Sequence, residues 1–232
     1  MKTLIITGAS KGIGLATAKK FADEGYRVIN ISRSPAPDDR IENHSVDLAL
    51  NDCEEQLQEL IGLLVDAGEI CLVHNAGKLV SDTVADTDTG SFVDILNVNV
   101  VAPHFLNQML IPLMHAGSSI VYLGSTLSEK AVPNTYSYVV SKHAVVGMMR
   151  ATCQDLAGRG IHTLCVCPGF TDTEMLRAHV GEDESVLKSI AATTTFDRLV
   201  EPQEIADAIW FGANHPVING AVIHANLGQV ER

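Results

Sequence analysis

Positive charge is what this chain has least of. Its 16 lysines and arginines face 28 aspartates and glutamates, for a formal net charge of −12 and a pI of about 5.1. A surface of that sign repels phosphate backbones and anionic lipid, so nucleic acid is not an expected partner. Long apolar runs are missing too, and no stretch approaches the roughly 20 residues that span a bilayer. Met1-Lys2-Thr3-Leu4-Ile5-Ile6-Thr7-Gly8 enters a strand-like run without the apolar segment and cleavage site of a secretory leader. These absences predict a soluble, cytoplasmic protein with no membrane partner.

Paired cysteine motifs are also absent. Cys53, Cys71, Cys153, Cys165 and Cys167 make an odd number with no Cys-x-x-Cys, which suits buried small hydrophobes in a reducing compartment. The nine histidines form no His-Glu-x-x-His and none pairs with a cysteine at zinc-like spacing, so no metal site is expected. No Pro/Gly/Ser-rich linker or charge block divides the 232 residues, and 46% hydrophobic content supports one α/β domain over residues 1–232.

What is present alternates between strand and helix. Leu4-Ile5-Ile6 reads as a strand and Thr7-Gly8-Ala9-Ser10-Lys11-Gly12-Ile13-Gly14 as a glycine-rich turn, with Ala16, Ala18, Phe21 and Ala22 at helical spacing behind it. Glycines let the backbone approach a pyrophosphate, and the amides at a helix start carry partial positive charge, so this turn points to a dinucleotide. A strand over 27–31 follows. Pro35, Pro37, Asp38 and Asp39 then leave no room for a crossover helix before a short strand at Ser45-Val46-Asp47. A helix over 53–65 puts Leu57, Leu60, Ile61 and Leu64 on one face, and a fourth strand covers 70–73.

Asn75-Ala76-Gly77 stands where a doubly wound sheet opens its crevice, although these residues suit an ordinary turn equally well. Residues 91–114 read as one long helix interrupted by Asn97 and Asn99, and a mid-helix asparagine usually faces solvent or bonds back to the main chain. Strands over 119–123, 161–167 and 217–225 and helices over 137–158 and from Pro202 complete the pattern. Between them, the polar and weakly periodic segment 171–200 has the length of a lid.

The chemistry concentrates in 125–142. On a helix with about 3.6 residues per turn, Tyr138 and Lys142 share a face. A phenol with an ordinary pKa of roughly 10 is a poor base at neutral pH, and an adjacent cation favours its ionised form. The pair suits proton transfer, though the spacing alone also fits a solvated helix face. Ser125 precedes Tyr138 by thirteen residues, at the end of the 119–123 strand. Tyr136, the rival phenol, has Val140 four residues on and Leu123 thirteen back.

Taken in order, these segments resemble the short-chain dehydrogenase/reductase family over essentially the whole chain. The matching motifs are Thr7-Gly8-x-x-x-Gly12-x-Gly14, Asn75-Ala76-Gly77, the set Ser125, Tyr138 and Lys142, Pro168-Gly169 with Thr171 and Thr173, and Arg198-Leu199-Val200-Glu201-Pro202 before the last helix. The resemblance implies a doubly wound Rossmann sheet of about seven parallel strands with helices on both faces. It implies an NAD(P)(H)-dependent oxidoreductase acting on a small carbonyl or alcohol. Tyr138 would be the acid/base, Lys142 its partner and a ligand of the nicotinamide ribose, Ser125 the group that polarises the carbonyl, and Asn99 the holder of a water in a proton relay.

The cofactor would lie along Gly8, Ser10, Lys11, Gly12, Ile13, Gly14, Ser32, Arg33, Asp47, Leu48, Asn75, Ala76, Gly77, Tyr138, Lys142, Pro168, Gly169, Thr171 and Thr173. Ser32 occupies the position whose acidic residue would select NAD, and Arg33 and Lys11 can pair with a 2′-phosphate, so NADP(H) is the expected preference. The family's usual assembly and the apolar long helices predict a homotetramer or homodimer. A 3-oxoacyl-thioester reductase and a non-catalytic dinucleotide sensor are the alternatives. His74, a short loop after Ile31 and the tail His224-Ala225-Asn226-Leu227-Gly228 depart from the family pattern. The first two are expected to alter packing near the adenine side, and the tail to alter C-terminal contacts between subunits.

Overall fold

The structure, a computed structural model, describes residues 2–49, 53–62, 68–181 and 183–230, apart from the side chains of residues 54, 59 and 61. Seven strands form one parallel sheet: β1 (Lys2–Thr7), β2 (Arg27–Ser32), β3 (Ile41–Ser45), β4 (Glu69–His74), β5 (Ser119–Leu123), β6 (His162–Pro168) and β7 (Val222–Ala225). Their spatial order is β3-β2-β1-β4-β5-β6-β7. The helices are α1 (Gly12–Asp23), α2 (Cys53–Gly62), α3 (Thr89–Leu96), α4 (Ala102–Leu110), α5 (Tyr136–Asp155), α6 (Glu174–Val180), α7 (Glu184–Ala191) and α8 (Pro202–Asn214).

Strands covered on both faces need apolar residues at nearly every position, and the central strands have them. Successive side chains point to opposite faces, so each strand feeds two cores. Ile5, Ile29, Ile31, Ile70, Leu72, Ile120 and Tyr122 pack against Leu57 and Leu60 of α2, Leu106 and Leu110 of α4, and Val145 and Met149 of α5. Leu4, Ile6, Val28, Cys71, Val73, Val121, Leu164 and Val166 face Ala18 and Phe21 of α1 and Ile205 and Ile209 of α8. On that side Phe21 meets Tyr26 and Trp210 edge-on at 5.0 and 4.9 Å, a geometry worth about 0.5–1.5 kcal/mol per pair beyond burial. The strand order reverses between β1 and β4, and the crevice of a doubly wound sheet opens at the carboxyl ends of those two strands.

Several local expectations are corrected. β3 lies at 41–45, not 45–47, paired from Val28↔Ile41 to Ser32↔Ser45. It is an edge strand with only Ile41 fully buried, whereas Val46, which suggested the strand, packs into the core just beyond it. The helix of 91–114 is broken into α3, a π-helical turn at Asn97–Val101, α4 and a 3-10 turn at Ile111–Leu113. β7 begins at Val222 instead of 217, because Pro216–Ile218 forms a 3-10 turn and Gly220 takes φ +77. α5 ends at Asp155, short of Gly158, and β6 is shifted one residue, to 162–168. The 171–200 segment carries α6 and α7, seven and eight residues long and capped by the side chains of Thr173 and Asp183, too short for a sustained apolar period. In α2 the side chain of Ile61, and all of Leu64 and Val65, lie outside the described residues.

His74 sits in a buried polar group. It shares a sheet face with Ile70 and Leu72 and so points beneath α4 and α5. Its Nε2 lies 2.8 Å from Asn107 Oδ1, and its ring centroid is 4.9 Å from that of Tyr122. Asn107 donates to the Tyr122 hydroxyl at 2.7 Å, which lies 3.0 Å from Thr152 Oγ1. The imidazole is fully enclosed, and burial pushes its pKa down to about 4 despite the Asn107 bond.

Candidate active site

The glycine turn is built against the β4 motif. Gly8 and Gly12 take φ +72 and +55, which L side chains rarely adopt. A Cβ on Gly14 would stand 2.3 Å from Gly8 O and 2.5 Å from Asn75 Nδ2, so the first turn of α1 can approach β1 only as glycine. Asn75 spends its side-chain amide on Thr7 O and Gly8 O, both at 2.9 Å, and Thr7 Oγ1 accepts from Asn75 N and Ala76 N. Asn75 therefore locks the two strand ends together. At Gly77, an added Cβ would find only ordinary contacts, 3.8 Å from Asn99 Oδ1 and 3.8 Å from Lys142 Nζ.

The chemistry-bearing groups gather at the carboxyl ends of β4 and β5. Lys142 is 5% exposed, and its Nζ donates to Leu123 O at 2.6 Å and lies 5.5 Å from the Tyr138 ring centroid. No carboxylate pairs with it among the described residues. Ser125 Oγ accepts from Leu127 N at 3.1 Å in a capping turn closed by Ser128, which leaves the Ser125 hydroxyl proton without an acceptor among the described residues. Tyr138 is half-buried, whereas Tyr136 is 38% exposed and stacks on Phe92 at 5.9 Å.

Asn99 is 2% exposed and does not face solvent. The π turn rotates it inward, where its Oδ1 accepts from Lys78 N at 2.8 Å. Its Nδ2 donates to Lys78 O at 3.0 Å and to Ser141 Oγ at 2.9 Å. Ser141 in turn donates to Tyr138 O at 2.8 Å, which ties the π turn to the helix of Tyr138 and Lys142. Single π turns inside helices recur at functional sites.

Beyond β2, Arg33 and Lys11 are exposed, and neither side chain has a partner among the described residues. Ser32 is nearly buried, and its hydroxyl donates to Ser34 O at 2.6 Å and accepts from Asn30 at 2.9 Å. Asn30 was not singled out in the sequence, although it is the one polar residue inside the run Val28-Ile29-Asn30-Ile31. It is 1% exposed; its Oδ1 accepts from Ala9 N at 2.9 Å and its Nδ2 donates to Asn43 Oδ1 at 2.9 Å, which holds the glycine turn and the Arg33 loop to the sheet. Asp47 caps Ala49 N at 3.1 Å, and Leu48 is buried in the core. Ser10 and Ile13 are partly exposed on the turn.

After β6, Gly169 N donates to Ala225 O at 3.0 Å, and a Cβ there would stand 2.7 Å from that of Asn226. Thr171 is buried, with its Oγ1 donating to Gly169 O at 3.0 Å, while Thr173 caps α6 and lies against Gly12, where an added Cβ would meet its methyl at 3.3 Å. The tail after β7 turns back on this segment: Thr195 Oγ1 donates to Leu227 O at 2.9 Å and Val230 N to Thr193 O at 2.7 Å. A small cavity of about 220 Å³ lies between Thr126, Glu129, Lys130, His224 and Asn226, with His224 Nε2 3.0 Å from Glu129 Oε2.

Comparison with known proteins agrees with this architecture. The family model described as Enoyl-(Acyl carrier protein) reductase matches residues 8–229. A 3-oxoacyl-[acyl-carrier-protein] reductase FabG of Thermotoga maritima is 30% identical, covering 99% of this chain and 98% of its own. Protein FixR of Bradyrhizobium diazoefficiens is also 30% identical, over 98% of this chain and 86% of its own. Among solved structures, the ligand-free aldohexose dehydrogenase of Thermoplasma acidophilum superposes with a TM-score of 0.90 at 28% identity, covering 98% and 93% of the two chains. The chain belongs to the short-chain dehydrogenase/reductase family, a family of nicotinamide-dependent oxidoreductases acting on small molecules. Among the described residues no helix is long and apolar enough to cross a membrane.

Proposed function

We propose that the protein interconverts a small carbonyl compound and its alcohol using NADP(H), with Tyr138 as the acid/base. The observation that carries this reading is the buried ammonium of Lys142, held by one carbonyl and one phenol ring with no carboxylate among the described residues to neutralise it. A buried cation so placed favours an electron-rich neighbour, either the phenolate of Tyr138 or the hydroxyls of a ribose. When bound, the nicotinamide supplies or accepts the hydride.

The protein's part is position and a proton. In reduction Tyr138 gives its proton to the developing alkoxide, and Ser125, whose Oγ already accepts from Leu127 N, donates a hydrogen bond to the same oxygen and keeps its proton. In oxidation the proton returns to Tyr138. The side-chain amide of Asn99 is committed to Lys78 and Ser141, so a relay water behind Lys142 would be held by main-chain groups of the π turn.

The glycine turn fits a dinucleotide: the positive φ of Gly8 and Gly12 and the close packing of Gly14 on Gly8 O set a turn with few side chains against the start of α1, the arrangement that lets a pyrophosphate approach helix amides. Gly8, Ser10, Lys11, Gly12, Ile13 and Gly14 would hold the pyrophosphate, and Asp47, Leu48, Asn75, Ala76 and Gly77 would line the path to the nicotinamide. Pro168, Gly169, Thr171 and Thr173 would close over it. Residues 171–200 would act as the lid of a single domain, a role supported by the contact of Thr173 with Gly12. NADP(H) preference is supported by two cations, Arg33 and Lys11, that have no side-chain partner among the described residues and stand beside a non-acidic Ser32.

A 3-oxoacyl-thioester substrate is the second reading, favoured by relatives named for that activity. Against a carrier-protein partner, Arg177 is paired with Asp172 and Arg198 with Glu204, each through two hydrogen bonds of 2.8 Å or less, so both arginines of the 171–200 segment are already engaged by carboxylates. The intact set of Ser125, Tyr138 and Lys142 argues against a non-catalytic sensor. Half-exposed Val93, Val140 and Tyr136 on α3 and α5 support a homodimer or homotetramer. Loss of reduced cofactor with NADPH or NADH over a panel of ketones, aldehydes, an aldohexose and acetoacetyl thioesters tests the reading; no turnover of any carbonyl class would defeat it.

A further inference from the structure

The helix that carries Tyr138 and Lys142 begins without a cap of its own. Thr135, at the N-cap of α5, makes no side-chain bond to the first turn, and its hydroxyl donates to Val132 O at 2.8 Å instead. The first amides of a helix have no partner within it, so something else must accept from them.

That acceptor comes from a distant segment. Asp82, in the chain after β4, forms a parallel bridge with Thr135: its N donates to Asn134 O at 3.2 Å and its O accepts from Tyr136 N at 3.2 Å. Its carboxylate accepts from Ser137 N at 3.1 Å and from the hydroxyls of Ser137 and Thr87. Asp82 thus satisfies two of the first amides of α5 and sets a negative charge at the helix's positive end. The Ser137 side chain is fully buried, so this anchor sits one residue before Tyr138 inside packed structure. Burial alone would raise the Asp82 carboxyl, but the bonds from Ser137 and Thr87 outweigh it and keep its pKa below the ordinary value. Thr87 immediately precedes Asp88, the N-cap of α3, so one carboxylate ties the starts of α3 and α5.

We infer that Asp82 is a positioning residue for the reaction: supplied from the segment after β4, it caps α5 in trans and holds the first turn in the conformation that aims the Tyr138 hydroxyl. The inference rests on Tyr138 being the acid/base. Asp82 would act through α5, without contact to substrate or cofactor.

The test uses the full-length protein, amide hydrogen exchange at Ser137, Tyr138 and Val139, and kinetics with NADPH and the panel carbonyl that turns over fastest. Asp82→Ala should speed exchange at those amides and lower kcat by about 10-fold or more, the scale of a lost helix cap, with KM and NADPH affinity nearly unchanged. Asp82→Asn keeps an acceptor for Ser137 N–H but loses the charge, and should fall between wild type and Asp82→Ala in both readouts. In a Tyr138→Phe background Asp82→Ala should cost no further kcat, because the two act through one group. Unchanged exchange, unchanged kcat or an additive double mutant would overturn the inference; if Asp82→Ala does not fold, wild-type exchange in Asp82→Asn would do the same. Tyr138→Phe that retains wild-type turnover would instead remove the acid/base reading, so the two failures are told apart.

Discussion

Lys142 Nζ donates to the main-chain oxygen of Leu123 across 2.6 Å, which fastens the ammonium to the end of β5 two residues before Ser125. Strand end and helix face therefore hold the serine, the lysine and, 5.5 Å away, the Tyr138 ring in one rigid group. A strand end buried in a seven-stranded sheet moves little, which is what precise proton transfer requires.

Removing the phenol hydroxyl should leave that frame standing. Tyr138→Phe is expected to lower turnover by roughly 10²-fold or more while NADPH affinity stays close to wild type. Lys142→Ala should reduce both, since its ammonium faces the phenol and the proposed ribose position. Steady-state kinetics with fluorescence titration of NADPH check this, and a Tyr138→Phe enzyme of near-normal turnover would reassign the catalytic phenol.

Cofactor choice should reside in two exposed cations. NADPH is expected to bind more tightly than NADH by about 1–3 kcal/mol, the worth of charge-assisted hydrogen bonds to a phosphate. Arg33→Ala should erase most of the gap and scarcely change NADH binding, and added salt should narrow it. Equal affinities, or a preference that survives loss of both Arg33 and Lys11, would contradict this assignment.

His74 should make the fold sensitive to mild acid. Its native pKa, near 4, lies below the ordinary value of 6.5, so between those limits the unfolded chain binds a proton that the native chain refuses. Stability from this source is complete above about pH 6.5 and is lost as pH falls through 4, up to about 3 kcal/mol at 1.4 per unit. His162, also lowered by burial, adds a slope of the same sign. The expected result is that His74→Asn flattens the pH 4–6.5 dependence of urea unfolding relative to wild type. The pairings of Asp38 and Glu204, with pKa values lowered to about 2, titrate at lower pH. Parallel pH curves for wild type and variant would show that the imidazole is not the cause.

Assembly gives a prediction of mass. Light scattering at micromolar concentration should return two or four chains, and replacing Val93 and Val140, both partly exposed on α3 and α5, with glutamate should shift the mass downward. A monomer in the wild type would remove this expectation.

The order of strands and helices, the glycine turn and the Tyr138–Lys142 pair were legible because each depends on residues close in sequence. Alternation marks a strand and a four-residue interval marks a helix face, and both follow from backbone geometry. The misplacement of β3 has the same origin: an edge strand with one fully buried residue has little apolar pattern, and the stronger local signal of Val46 lay just outside it. The two helices of 171–200 were missed because they are only seven and eight residues long and lie in a polar segment, each started by a Thr173 or Asp183 cap.

By itself the sequence determined that this chain would build a doubly wound sheet with a glycine-rich turn after its first strand and a tyrosine–lysine helix. Only the tertiary structure decided which distant groups serve them. Asn30 reaches Ala9 from another strand, Asn99 is turned inward by a π turn to meet Lys78 and Ser141, and Asp82 caps a helix that starts more than fifty residues later. The reason is physical. A hydrogen bond between remote residues depends on which strand ends the sheet order brings together, and no local period encodes that order.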